Sequence, residues 1–286
     1  MKAKADGCDL IYWKFAMSLL WLRVAVLLYG VASLAVLPAA LYERPRWRHI
    51  ALPAAVMGVV FQFVALSETM NAAHHRVPVE AREVQALMAM LIAGAFLLVY
   101  WRYRTLQLGV FALPIAFTLA LVAAFVPGQH FAESALVRSG WIWLHVALLL
   151  AAYAAMMVSL LASVLYLVQE RRLKTKGLGS LAGWLPPLET MDQIALKSLL
   201  FGLPCMTGGL LIGSVVAQET VGPAYFADPK VLLSFGMWVA YILMIHIRRI
   251  SGLRGRRAVY LSSFVFLVMI AAWAANQFSN VHRFTS

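Results

Sequence analysis

Eight long apolar stretches, at roughly residues 16–41, 49–69, 84–101, 107–127, 141–168, 194–217, 231–249 and 257–278, restrict this chain to one kind of fold. A helix needs about 20 mostly apolar residues to cross the hydrocarbon layer of a bilayer, and each stretch comes close to that length. Lipid offers no water to pair backbone N–H and C=O groups, so a spanning segment must satisfy them internally, as a helix does. The expectation is an all-α integral membrane protein, a bundle of about eight transmembrane helices. Composition agrees, since the 286 residues are 63% hydrophobic and only 13% charged. That is too apolar for a water-soluble domain of this size. The net charge of +12 does not point to nucleic acid, because Lys and Arg are scattered in short clusters between apolar runs rather than gathered on one polar face. The bilayer is the partner that these numbers imply. Cys8 and Cys205 lie far apart and form no ligand spacing, so they are assigned no chemistry.

Orientation follows from the basic residues of the short loops, which stay on the cytoplasmic side. Alternate loops hold Arg44, Arg46 and Arg48, then Arg102 and Arg104, then Arg171, Arg172, Lys174 and Lys176, then Arg248, Arg249, Arg254, Arg256 and Arg257, 14 in all. The intervening loops hold four, Arg76, Arg82, Arg138 and Lys230. This bias places the first set inside and both termini on the outer side. Lys2, Lys4 and Lys14 outweigh Asp6 and Asp9 and pull weakly the other way. The first span reads as a mature helix, being too long for a cleavable signal and lacking a clear small-residue cleavage site.

This topology locates the histidines. His145 starts the fifth span as it enters from outside and His282 follows the eighth as it exits, so both belong near the outer face; His246 closes the seventh span near the inner face. Ionisable side chains at membrane depth are costly and are functional candidates by default, and imidazole nitrogens at a membrane edge suit a haem iron. The competing reading is an interfacial histidine bonded to a carbonyl or to water. His49, His74 and His75 sit beside arginines in loops, and His130 is a spare outer candidate. Pro186-Pro187-Leu188-Glu189-Thr190-Met191-Asp192 is expected to break the chain and then cap a short helix along the inner surface. The glycines and Cys205 of the sixth span suit close helix packing. Arg23 is an isolated charge that snorkels or pairs with an acid. There is no phosphate loop, nucleophile elbow, HExxH or acid dyad, and a solute transporter is disfavoured because no half-helix pair or inverted repeat is evident.

From Trp141 to Phe284 the residue order resembles the cytochrome c assembly family of membrane haem-handling proteins, with its CcsA, CcmC and HemX-like branches. The resemblance begins at Trp143-Leu144-His145-Val146 and continues through Leu165-Tyr166-Leu167-Val168-Gln169-Glu170-Arg171-Arg172 and Leu185-Pro186-Pro187-Leu188-Glu189. It runs on through a sixth span with Gly202, Pro204, Gly208, Gly209 and Gly213, then Asp228-Pro229-Lys230, Trp238, Tyr241, His246 and Arg248. It implies a four-span N-terminal region, 1–130, followed by a four-span cytochrome c assembly region, 131–286.

The resemblance also implies a site. His145 and His282 look like the outer pair that ligates a b-type, non-covalently held haem, and His246 like an inner ligand. Trp143, Tyr225, Phe226 and Trp238 would lie against the porphyrin, beside the Asp228-Pro229 motif. Arg138 and Arg283 outside, and Arg248 and Arg249 inside, would meet the propionates. The implied function is a haem carrier or assembly factor rather than an enzyme, working with other cytochrome c assembly proteins or a membrane complex. Three departures point to the HemX-like side and to the alternative of a regulatory or scaffold subunit without haem transfer. The tryptophan-rich segment reads here as Tyr225-Phe226-Ala227-Asp228-Pro229-Lys230-Val231; the spacing from Asn276 to His282 is about one residue short; and Gln62 stands near where some relatives carry a histidine.

Overall fold

The computed structural model describes residues 2–42, 44–72, 81–125, 140–174, 186–220, 222, 227–250 and 256–274. Among these the regular elements are eight helices: α1 (Lys2–Leu41), α2 (Pro45–Ala72), α3 (Ala81–Tyr103), α4 (Gly109–Phe125), α5 (Gly140–Lys174), α6 (Leu188–Thr220), α7 (Pro229–Ile250) and α8 (Arg256–Ala274). The protein is all-helical and passes the membrane several times. Segments of α1, α2, α3, α5, α6 and α7 are long and apolar enough to cross, whereas Gly109–Phe125 and Val259–Ala271 are shorter. By helical rise those two measure about 25 and 20 Å, against a hydrocarbon core of about 30 Å.

The boundaries follow local chemistry, and several differ from the hydropathy limits. α1 begins at Lys2, well before its apolar run, because Gly7 is the only glycine ahead of Phe15 and no proline intervenes. α2 opens on Pro45 in the first helical position, where a missing N–H costs nothing. His49, expected in a loop, therefore lies inside α2, on an exposed face. Arg23 is likewise on an exposed face of α1. α3 stops where Arg104 adopts φ 57°, the left-handed conformation that commonly closes a helix.

The surface helix expected after Pro187 does not exist as a separate element. α6 is one helix of 33 residues, and the Pro187 carbonyl accepts from the N–H groups of Thr190 at 3.0 Å and Met191 at 3.3 Å. Met191, Ile194, Ala195 and Leu199 are all buried at helical spacing, so one apolar stripe runs unbroken from the first turn into the span. Nothing in this stretch gives the helix a reason to end.

The chain forms two compact units, Met1–Trp101 with Gly109–Trp143, and Arg102–Leu108 with Leu144–Ser286. In the first, Leu22, Ala65, Leu66, Ala86 and Ala123 bring α1, α2, α3 and α4 to one core. Tyr29 lies where a Cβ on Gly58 would sit, and Gln62, fully buried, donates to the Ala86 carbonyl at 2.7 Å and ties α2 to α3. In the second, Ala152, Met156, Leu199, Met206, Met237, Tyr241, Val265 and Met269 form a core shared by α5, α6, α7 and α8.

Candidate functional site

The second unit is ordered by α6, which has α5 on one face and α7 on another. On the α5 side, Leu149 lies against Gly209, Leu148 against Gly208 and Ala155 against Gly202, so the two helices run antiparallel. On the α7 side, the indole Nε1 of Trp238 donates to Thr207 Oγ1 at 2.9 Å, and the Tyr241 hydroxyl occupies the space above Gly202. Arg248 Nη2 donates to Asp192 Oδ1 at 2.5 Å, with only 3% of the arginine side chain exposed. α7 is thus antiparallel to α6 as well.

This register places the two described candidate histidines toward opposite ends of α6. His145 meets α6 at Gly209 and Gly213, whereas Arg248, two residues after His246, meets it at Asp192. The intervening 17 to 21 residues of helix amount to about 26–32 Å, close to a membrane thickness.

His145 is held closely. Its Nδ1 is 2.6 Å from the Gly209 carbonyl oxygen, and its ring is half-buried. A carbonyl only accepts, so Nδ1 carries the proton, and in the neutral ring the lone pair is then on Nε2. Gly213, one turn beyond Gly209, makes the approach possible: a Cβ there would sit 2.5 Å from Nδ1 and nearer still to Cε1. An imidazole that donates one N–H to a carbonyl and keeps its other nitrogen as a ligand is the arrangement seen at metal-bound histidines. The donor chemistry of this residue would fit a haem iron.

The other candidates fall into three groups. Tyr225, Phe226 and His282, with the spare His130 and the propionate candidates Arg138 and Arg283, lie outside the described residues. His246 and Trp143 are described and exposed, on α7 and near the start of α5. Asp228 and Trp238 have structural duties already: Asp228 is buried in the N-cap position of α7, its carbonyl accepting from Leu232 N at 3.0 Å ahead of Pro229, and Trp238 holds Thr207. Among the described residues no group of three His, Cys, Asp or Glu side chains lies together as a metal site would require.

Asp192, Gly209 and Gly213 are partners that the sequence does not reveal. Asp192 reads only as part of a helix start, yet it anchors Arg248, which positive-inside charge by itself would explain. Gly209 and Gly213 read as packing residues, and they do admit α5, but they also seat His145. The available signal was their spacing, Gly-x-x-x-Gly, which puts both on one face of α6.

A helical membrane protein with a seated imidazole near one end of its spans is the class that the fold and this geometry define. The sequence pattern of the family described as "Cytochrome C assembly protein" matches residues 55–281, well over half of the chain. The chain belongs to that family. The match reaches back into α2, far upstream of Trp141, where the residue-by-residue likeness begins. Its relatives include proteins named "Cytochrome c biogenesis protein CcsA": that of Guillardia theta is 25% identical over 206 residues, covering 65% of this chain and 68% of that protein. One from a strain of Prochlorococcus marinus is 31% identical over 208 residues, covering 65% and 67%. An uncharacterized 28.8 kDa protein of Azospirillum brasilense is 32% identical over 166 residues, covering 56% and 60%. The chain therefore matches about two thirds of the CcsA proteins' length, and somewhat less of the Azospirillum protein.

Proposed function

We propose that this protein carries or positions haem during cytochrome c assembly, at the outer face of a bacterial cytoplasmic membrane, as a carrier rather than a turnover enzyme. The observation that supports it best is the His145 imidazole, bonded through Nδ1 to the Gly209 carbonyl at 2.6 Å and so holding its lone pair on Nε2. When bound, haem would supply an iron that takes imidazole nitrogens and two anionic propionates. His145 and His282 would hold the iron, and Arg138 and Arg283 would meet the carboxylates as charge-assisted donors. Trp143, Tyr225, Phe226 and Trp238 would give the porphyrin an apolar surface, with the Asp228-Pro229 turn setting the start of α7. His246, toward the other end of α6, would serve an inner site. Family membership supports haem and other assembly components as partners, and the basic-loop count supports an outer location for both termini.

The test is the visible spectrum of the purified protein in mild detergent, oxidised and then reduced. A Soret band that weakens or shifts in His145→Ala and in His282→Ala is expected. Protein exposed to haem that lacks any such band would sink the proposal.

A second reading, a HemX-like regulatory or scaffold subunit without haem transfer, is favoured by the thinned tryptophan-rich segment, Tyr225-Phe226-Ala227-Asp228-Pro229-Lys230-Val231. Stable co-purification with a partner, together with full function of the His145→Ala, His282→Ala double variant, would favour that reading.

A further inference from the structure

On the haem reading above, we propose that Gly213, acting with the Gly209 carbonyl, is the positioning residue that sets the tautomer and the ring plane of His145 for iron. The chemistry is confined to three atoms. The Gly209 oxygen, already inside helix α6, accepts a second hydrogen bond from Nδ1 at 2.6 Å. That is possible only because the turn above it ends in a residue with no side chain. A methyl group on Gly213 would sit 2.5 Å from Nδ1, inside any real carbon contact, and 3.3 Å from Nε2. The Cε1–Nδ1 edge of the ring therefore lies on the glycine, and Nε2 is the ring nitrogen farther from it.

The position is specific within its own helix. At Gly208, five residues earlier, an added Cβ would sit 3.4 Å from Leu148, an ordinary contact. At Gly209 it would sit 2.8 Å from the Leu149 side chain, so the missing side chain there serves helix approach. At Gly213 the obstructed group is the imidazole. An added methyl is accommodated by turning that ring about its own torsions, without parting α5 from α6. Turning it breaks the Nδ1–H···O bond and releases the tautomer. Loss of an outer partner of a metal-bound histidine lowers metal affinity roughly 10- to 100-fold, and a shift of that order is expected here.

The experiment uses the full chain in lipid nanodiscs, titrated with haem, in four forms: wild type, Gly213→Ala, Gly208→Ala, and Gly213→Ala in a His145→Ala background. Electron paramagnetic resonance of the ferric protein reads the axial imidazole planes, and nitrogen-15 shifts of His145 in haem-free protein read the tautomer. In Gly213→Ala, haem affinity falls roughly tenfold or more, the low-spin signal shifts, and the Nδ1–H tautomer is no longer the single species. Gly208→Ala matches wild type in all three. With His145 already removed, Gly213→Ala changes nothing further, a result that a merely structural glycine would not give. A loaded wild type alongside a Gly213→Ala protein of unchanged affinity, signal and tautomer overturns this proposal and leaves the haem reading standing. A wild type that takes up no haem overturns that reading, and the positioning role with it.

Discussion

At the scale of single residues, glycines and the side chains that replace them carry much of the second unit. Gly202 faces the Tyr241 hydroxyl and the Ala155 Cβ, the latter 3.2 Å from where its own Cβ would be. Tyr241 is fully buried, and its hydroxyl has no hydrogen-bond partner among the described residues. Gly202→Ala therefore overpacks a close helix crossing and should cost about 1–3 kcal/mol, read as a lower thermal midpoint in detergent. Tyr241→Phe removes a buried, unpaired hydroxyl and should stabilise by about 1 kcal/mol. It should also rescue part of the Gly202→Ala loss, because the obstructing atom is the oxygen. A double variant no more stable than Gly202→Ala alone would refute that account. These positions were half legible in the sequence: the glycine content of the sixth span announced close packing, but which partner met which glycine required the α5–α6 and α6–α7 registers.

At the scale of elements, α6 and α7 are joined by a ladder of contacts that ends in the Arg248–Asp192 pair, 3% and 17% exposed. A charge this deep is tolerable only beside its counter-charge. Asp192→Ala, which leaves the guanidinium alone, should cost about 3 kcal/mol, measured by equilibrium unfolding in mixed micelles. The double variant Asp192→Ala, Arg248→Met should recover most of this, since both charges are then gone. Equal losses in the single and double variants would show that the pair matters as a bond rather than as a neutralised charge. The Gln62 amide that joins α2 to α3 at 2.7 Å is a weaker case of the same device. Gln62→Leu should cost about 0.6 kcal/mol, the mean found for membrane hydrogen bonds. The helices themselves were legible from hydropathy. Their ends were less so, because α1 runs on through polar residues and α6 absorbs a proline-led segment, and neither end is marked by a change in hydrophobicity alone.

At the scale of the whole molecule, the basic-loop bias of 14 residues against four leads to a testable orientation. A periplasm-active phosphatase fused after Ser286 should be active, and a fluorescent protein fused there should stay dark. The reverse pattern would show that Lys2, Lys4 and Lys14 dominate instead. The sequence by itself determined the all-helical membrane fold and the candidate ligands, because burying a backbone in lipid leaves a helix as the available answer and because His145 and His246 are rare polar side chains among apolar ones. Only the tertiary structure decided what those residues touch. The pairing of His145 with Gly209 and Gly213, and of Arg248 with Asp192, joins residues 64 and 56 positions apart in the chain. Such pairings depend on helix register and rotation, which no local periodicity records.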